Sequence, residues 1–292
     1  MAYQAVDEIM ARCGRDGVEF WKAVQLEDCE ENGISEEESW NQMTHMWNSM
    51  KESVAAYDPE AISRSGLVGR EGKLMDAYRE QEKPLCGDFV SKVIANALKM
   101  GCNNACMKRI VAAPTAGACG VMPAVLVTYY KEYEASEETM IQAMYVAAGI
   151  GQVIASRASL AGASGGCQAE IGSASAMAAA GLAYMQGADS EGCANALALA
   201  LKSMLGLTCD PVCGLVEVPC IKRNVSGAVN AITAAQMTMA GIKSVIPADE
   251  VIDSMRRIGN DMPVCLKETG EGGLAITPTA KVYKQKLNNI DN

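Results

Sequence analysis

The 292-residue sequence predicts an all-α fold, a globular multi-helix array with Gly- and Cys-rich functional loops at helix ends. Three observations predict it. Apolar residues make up 49% of the chain but aromatics only 5%, with two Phe, so Ala, Met and Leu must fill the interior. Such residues favour close-packed helices, whereas strands prefer Val, Ile and aromatics. No segment keeps a convincing period-2 alternation of apolar and polar residues. Helix-start signals recur along the chain.

Taken in order, the first sixty residues read as helical and charged. Ser35-Glu36-Glu37-Glu38 is a capping box that starts a helix through about Tyr57, which Asp58-Pro59 ends. Residues 63–73 read as a loop, followed by helices at roughly 86–101 and 103–112. Ala113-Pro114-Thr115-Ala116-Gly117-Ala118-Cys119-Gly120 opens a helix near Met122-Pro123 that runs to about Tyr133, Pro being suited to a first turn. Ser136-Glu137-Glu138 starts the next helix, to about Leu160. A small-residue loop from Gly162 to Gly166 ends in Cys167. Helices follow at roughly 169–186 and 190–206, the second begun by Asp189 or Ser190. A loop at 207–224 precedes a helix at about 226–241, and Pro247-Ala248-Asp249-Glu250 caps another to about Ile258. The last loop runs from Met262 through Gly273. The length suits one all-helical domain over 1–292, with an N-terminal helical segment at 1–60, a functional core at 61–280 and a buried centre near 120–242.

The net charge of −10 and the lack of a Lys/Arg cluster argue against nucleic acid or an anionic membrane as partner. The apolar run from Ile171 to Ala188 is Ala-, Gly- and Ser-rich and reads as a buried helix, not a membrane span. Met1-Ala2-Tyr3-Gln4 leads into a mixed polar segment without a signal-peptide pattern, so the chain is expected to be cytoplasmic. In that reducing compartment, twelve cysteines are more often buried, metal-binding or catalytic than paired as disulfides.

Cys13, Cys29, Cys86, Cys102, Cys106 and Cys193 read as small buried apolar residues. Cys102 and Cys106 are spaced C-x3-C with no second pair, and the chain has one histidine, His45, on a helix surface. Zinc sites built on imidazoles are thereby excluded. Three other cysteines lie in Gly- or Pro-marked loops: Cys167 in Ser164-Gly165-Gly166-Cys167-Gln168, Cys209 in Cys209-Asp210-Pro211-Val212, and Cys220 in Val218-Pro219-Cys220. Three thiolates can hold three irons of a cubic iron–sulfur cluster, leaving a fourth iron open as a Lewis acid. The Gly-rich stretches 65–72 and 114–120 read as loops that can offer backbone N–H groups to a small anion.

Ser164 through Gly172, and Cys209-Asp210-Pro211-Val212 through Cys220-Ile221-Lys222-Arg223-Asn224, resemble the iron–sulfur L-serine dehydratases (L-serine ammonia-lyases). The length is similar to the α chain of the two-chain bacterial form. The similarity extends to Ser65-Gly66, to Ala113-Pro114-Thr115-Ala116-Gly117-Ala118, and to Leu266-Lys267-Glu268-Thr269 with Gly272-Gly273-Leu274-Ala275, covering about residues 60–280. The resemblance implies a 4Fe-4S cluster on Cys167, Cys209 and Cys220, and a separate β chain with an ACT-like regulatory fold in a heterodimer or higher oligomer. Cys213, Cys119 and Cys265 depart from the family pattern and are not expected to be ligands. A Ser-His-Thr motif that the family carries in its β portion is absent from these residues.

The activity so implied is loss of water from L-serine to give pyruvate and ammonia, a step of amino-acid degradation that can feed gluconeogenesis. The open iron would take the hydroxyl, while Ser65 and Gly66 with Thr115, Ala116, Gly117 and Ala118 hold the carboxylate. Lys267 is the candidate base, provided desolvation lowers its pKa. Two rivals use the same cysteines: a cluster lyase that desulfurates L-cysteine, and a non-enzymatic iron–sulfur sensor or scaffold.

Overall fold

The structure is a computed structural model that describes residues 3–290. Its helices are α1 (Val6–Asp16), α2 (Phe20–Asn32), α3 (Glu36–Ala55), α4 (Glu71–Gln81), α5 (Gly87–Ala105), α6 (Val121–Glu132), α7 (Glu137–Arg157), the single turn α8 (Gly162–Gly165), α9 (Ser173–Met185), α10 (Ser190–Lys202), α11 (Cys220–Met239), α12 (Ala248–Asp261) and α13 (Pro278–Ile290). No strand forms among the described residues, and the expected all-α class holds.

The start signals act as their chemistry requires. At Ser35 the hydroxyl accepts from Glu38 N at 3.2 Å while the Glu38 carboxylate accepts from Ser35 N at 2.9 Å. These two bonds satisfy amides that the first turn of α3 leaves unpaired. Ser136 Oγ accepts from Thr139 N at 3.1 Å to open α7. Asp189, not Ser190, caps α10, with its Oδ1 accepting from Gly192 N at 2.8 Å.

Four expectations need correction. The helices expected at 86–101 and 103–112 are one helix, α5, which stops where Met107 turns left-handed at φ 56°. Two helices were not anticipated. Helix α4 is short, polar and has no side-chain cap, and α13 opens at Pro278 with Thr277 Oγ1 accepting from Ala280 N at 3.3 Å. The helix expected from 226 begins at Cys220, because Pro219 lies just before its first turn. The loop before Cys167 is partly coiled as α8, and one π turn, Gln168–Gly172, joins it to α9. Such a turn carries an extra residue in the helical path and often sits at a functional site.

Helix α9 lies at the centre, against α6, α7, α10 and α11. Every residue from Ser173 to Ala183 is buried. Small side chains let its neighbours approach: a Cβ on Gly181 would come 3.2 Å from Ala143 O on α7, and one on Gly227 of α11 would come 2.8 Å from Ile171. Packing continues through α1–α3, whose Ile9, Phe20, Trp47 and Met50 join the same apolar cluster as Leu126, Tyr145 and Ile150. Helix α7 is long and apolar enough to cross a membrane, but 67% of that stretch is buried inside the fold.

The contact between α5 and α11 sets where the cysteine-bearing start of α11 stands. A Cβ on Gly101 would come 2.9 Å from both Cγ atoms of the buried Ile221. Gly→Ala inside a helix gains about 0.5–1 kcal/mol of propensity, but overpacking a filled site costs about 1–3 kcal/mol. Gly101→Ala is therefore expected to lower stability, read as a lower denaturant midpoint at an unchanged slope.

Candidate metal and substrate site

Three chain segments meet where the π turn joins α9. The first carries Cys167 and Glu170. Gly166 turns left-handed at φ 76°, and a Cβ there would come 2.8 Å from Leu207 O, so the position takes glycine. Gln168, fully buried, holds this turn to both neighbours: its Nε2 donates to Met255 O at 3.1 Å and its Oε1 accepts from Gly206 N at 2.9 Å. The second segment carries Cys209, whose backbone pairs with the last loop. Cys209 N donates to Leu266 O at 2.8 Å and Glu268 N donates to Cys209 O at 2.7 Å. The third is the first turn of α11, with Cys220, Arg223 and Asn224.

The Sγ atoms of Cys167 and Cys209 and a carboxylate oxygen of Glu170 all lie within 4.8 Å of one another. Cys220 stands outside this tightest group, yet its thiol feels the charges of Cys167, Arg223 and Glu170. All three cysteines are buried, at 2%, 2% and 6% exposure, and two of them, Cys167 and Cys209, bring their sulfurs together beside Glu170.

The Cys167 and Cys209 thiols are hydrogen-bonded to each other. The bond from Cys209, helped by the Arg223 guanidinium, holds the Cys167 thiol below its usual value despite burial. The same bond, with burial, drives the Cys209 thiol up. Burial pushes Cys220 up to about 12. A thiolate at Cys167 therefore has a fixed cation beside it. Arg223 Nη1 lies 3.5 Å from Cys167 Sγ and donates to Thr208 O at 2.7 Å, and Nη2 pairs with Asp210 Oδ1 at 2.8 Å. Asp210 Oδ2 accepts from Leu274 N at 2.7 Å, tying in the last loop.

Asn224 brings in the loop before α6. Its Oδ1 accepts from Gly120 N and its Nδ2 donates to Gly117 O, both at 2.8 Å. Thr115 Oγ1 then donates to Glu170 Oε1 at 2.8 Å. The amides of Ala118, Cys119 and Gly120 are used within the fold, and Ala118 is fully buried. Thr115 and Gly117 are thus the residues of this loop that meet Glu170, while Ala116 is exposed.

Ser65 and Gly66 lie on a loop fastened to the segment before Cys220. The hydroxyls of Ser63 and Ser65 both donate to the buried Glu217 carboxylate, Ser63 at 3.1 Å, and Ser65 Oγ accepts from Leu67 N at 3.1 Å. Gly66 turns left-handed at φ 74°. Lys267 is half-buried and its backbone forms a parallel bridge with Cys209.

Among the other cysteines, Cys13, Cys102 and Cys193 are buried as expected of small apolar residues, Cys119 is buried too, and Cys29 and Cys106 are only half-buried. Cys86 is exposed, against expectation, because it directly precedes α5, ahead of the left-handed Gly87. Cys213 is half-buried and left-handed at φ 59°, and Cys265 is exposed. His45 is exposed on α3.

Glu170, Glu268, Asp210, Arg223 and Asn224 escaped sequence reasoning as site residues. Glu170 carried a signal, sitting three positions after Cys167 and so on the same side of a helical turn. The rest depend on chain crossings that no local pattern encodes. A cleft of about 660 Å³ lies between α1, α10 and α12, and its walls include the acidic Asp7, Asp189 and Glu191.

The fold and the site define a helical protein with a buried thiol-and-carboxylate centre. That soft donor set, with its fixed counter-cation, fits a thiophilic metal cofactor. A family model described as "Serine dehydratase alpha chain" matches residues 15–275. The chain is 46% identical over 253 residues to the probable L-serine dehydratase, alpha chain, of Bacillus subtilis, covering 87% of this chain and 84% of that one. It is 39% identical over 279 residues to the L-serine dehydratase, alpha chain, of Peptoniphilus asaccharolyticus, covering 95% and 96%. It also matches the longer L-serine dehydratase of Mycobacterium bovis at 37% identity, covering 97% of this chain and 63% of that one. The chain belongs to the serine dehydratase alpha chain family, and it is a lyase.

Glu170 makes the metal-free site pH-sensitive. Burial and the nearby Glu268 charge raise its carboxyl above the usual value, only partly offset by the Thr115 hydroxyl. The folded chain then holds this proton to a higher pH than the unfolded chain does. Glu170 therefore stabilises the fold below the ordinary carboxyl pKa of about 4.3, and that contribution is lost as pH rises through the raised folded value. In metal-free chain, Glu170→Gln is expected to raise the melting temperature at pH 7 relative to the parent, with the difference closing as the pH falls to about 4.

Proposed function

We propose that this chain is the α chain of an L-serine dehydratase that eliminates water from L-serine to give pyruvate and ammonia, using a 4Fe-4S cluster held by Cys167, Cys209 and Cys220. The observation that carries this reading is the meeting of the buried Cys167 and Cys209 with Glu170, with the buried Cys220 thiol within reach of the charges of Cys167, Arg223 and Glu170. The residues fit the group. They offer thiols in a dry pocket with Arg223 beside the most acidic one, and hydrogen bonds and charge next to a cluster thiolate tune it.

When bound, a cluster with one open iron supplies a Lewis acid for the departing hydroxyl. The chain's own residues do the rest. Thr115, Ala116, Gly117 and Ala118, with Ser65 and Gly66 on the loop fixed by Glu217, form the proposed seat of the substrate carboxylate. Ala118 supports from inside, and Thr115 and Gly117 face the centre. Lys267, on the segment paired with Cys209, is the proposed acceptor of the α-proton. Burial of the cysteines keeps water from competing at the reacting carbon.

The proposed partner is a β chain with an ACT-like regulatory fold, in a heterodimer or higher oligomer. Relatives named as alpha chains have about the length of this chain, while the Mycobacterium bovis relative is longer. A cytoplasmic setting suits thiols that must stay reduced, and the product pyruvate suits amino-acid degradation.

The test is anaerobic co-purification with the β chain, followed by iron and sulfide analysis and a pyruvate assay. Single Cys→Ser replacements at 167, 209 and 220 are expected to abolish the brown absorbance and pyruvate formation while leaving the helical circular dichroism intact. Cys213→Ser and Cys265→Ser should keep both. Full colour and activity in any one of the first three would remove that cysteine from the ligand set, and sulfide release from L-cysteine at a higher kcat/KM would replace the substrate.

A further inference from the structure

Two carboxylates at the centre have no role in the reaction as proposed. Glu170 Oε1 is held by Thr115 at 2.8 Å, and its other oxygen faces Gly162. The point where a Cβ on Gly162 would stand lies 2.8 Å from Glu170 Oε2, 3.1 Å from Glu268 Oε2 and 3.2 Å from Cys209 Sγ. Two carboxylate oxygens and a proposed ligand sulfur thus ring one small space, which stays open because residue 162 is glycine. Gly117 guards the other side, where a Cβ would come 2.8 Å from Glu170 Oε1.

Among the described residues no lysine or arginine pairs with either carboxylate. The arginine of this region, Arg223, is already engaged by Asp210, Thr208 O and Cys167. The placement of Glu268 is also costly. It is a non-glycine residue at φ 63°, locked by the bond from its N–H to Cys209 O at 2.7 Å. Such a backbone persists where its surroundings over-determine it, commonly at ligand clamps.

We propose that Glu170 and Glu268 seat the α-ammonium group of the amino-acid substrate, and so restrict the enzyme to amino acids over hydroxy acids that share the carboxylate and β-hydroxyl. The assignment rests on the L-serine reading above. A primary ammonium has three N–H donors and one positive charge, and here two acceptor oxygens converge without a cation. Like charges held close, here with Glu170 half-buried and Glu268 exposed, are relieved by a cation between them. Because Thr115 spends its hydroxyl proton on Oε1, the Oε2 side of Glu170 is the one presented to the guest. An analogue lacking the amino group would leave both carboxylates facing each other, and sites built to pair with a charged group reject ligands that lack it.

The test uses the anaerobic holoenzyme with its β chain and full iron content. L-Serine and 3-hydroxypropionate, which lacks only the amino group, are titrated against the parent, Glu268→Gln and Glu170→Gln, with binding read by calorimetry and by change in the visible and EPR spectra. The parent is expected to bind L-serine at least about tenfold tighter than 3-hydroxypropionate, and each Gln variant to lose at least about tenfold in L-serine affinity with 3-hydroxypropionate within about twofold. Equal weakening of both ligands would overturn the proposal, since the carboxylates would then merely hold the loops. Equal affinity of the parent for both would overturn it too. A changed ligand-free spectrum or iron content in Glu170→Gln would make Glu170 a metal ligand and overturn its part, while Glu268→Gln still reports on the ammonium seat. A fully loaded parent that neither binds nor turns over L-serine sinks the L-serine reading itself, before any variant is made.

Discussion

The first turn of α11 is the constraint on which the site depends. Cys220, Arg223 and Asn224 occupy one turn and reach three different partners. Arg223 holds the Cys167 thiol and the Asp210 carboxylate, and Asn224 holds the loop that carries Thr115. A helix fixes the relative directions of residues three and four apart, so one rigid element sets the spacing of segments far apart in sequence. Asn224 is 2% exposed and bonds a buried amide and two carbonyls. Losing it would strand groups that cost about 1–3 kcal/mol each when buried and unpaired.

The electrostatics of the centre follow from that assembly. Thiols and the carboxylate of Glu170 are drawn together out of water, with one guanidinium as fixed compensation. The balance is anionic, which shows in the raised Cys209 thiol and the raised carboxyl of Glu170. A pocket of this kind favours cationic guests, metal ions and ammonium groups alike. The same imbalance makes the metal-free chain less comfortable than the loaded one, since a group that binds only the folded state stabilises it.

The Ala- and Gly-rich interior serves this convergence. Helix α9 can touch four neighbours because its side chains are small, and α5 meets α11 at Gly101 against Ile221. Larger side chains at these contacts would move helix axes apart, and the loops at their ends would no longer meet. Composition and site geometry are therefore linked: the scarcity of aromatics is what permits several helix ends to crowd one point.

Much of this was legible from residue types alone. Low aromatic content and recurrent capping signals determined the helical class, because those effects act within a few residues. The Gly- and Pro-marked settings of Cys167, Cys209 and Cys220 set them apart from Cys102 and Cys193, which pack inside α5 and α10, because loop chemistry is also local. Helix limits failed where local cues were weak, as at α4, or where a single proline set the start, as Pro219 does before Cys220. The carboxylates of Glu170 and Glu268 could not be placed beforehand. They lie 98 positions apart and meet only because Cys209 pairs with the last loop while Gly162 leaves them room. Such a meeting is set by which distant segments share backbone bonds, and only the folded chain decides that.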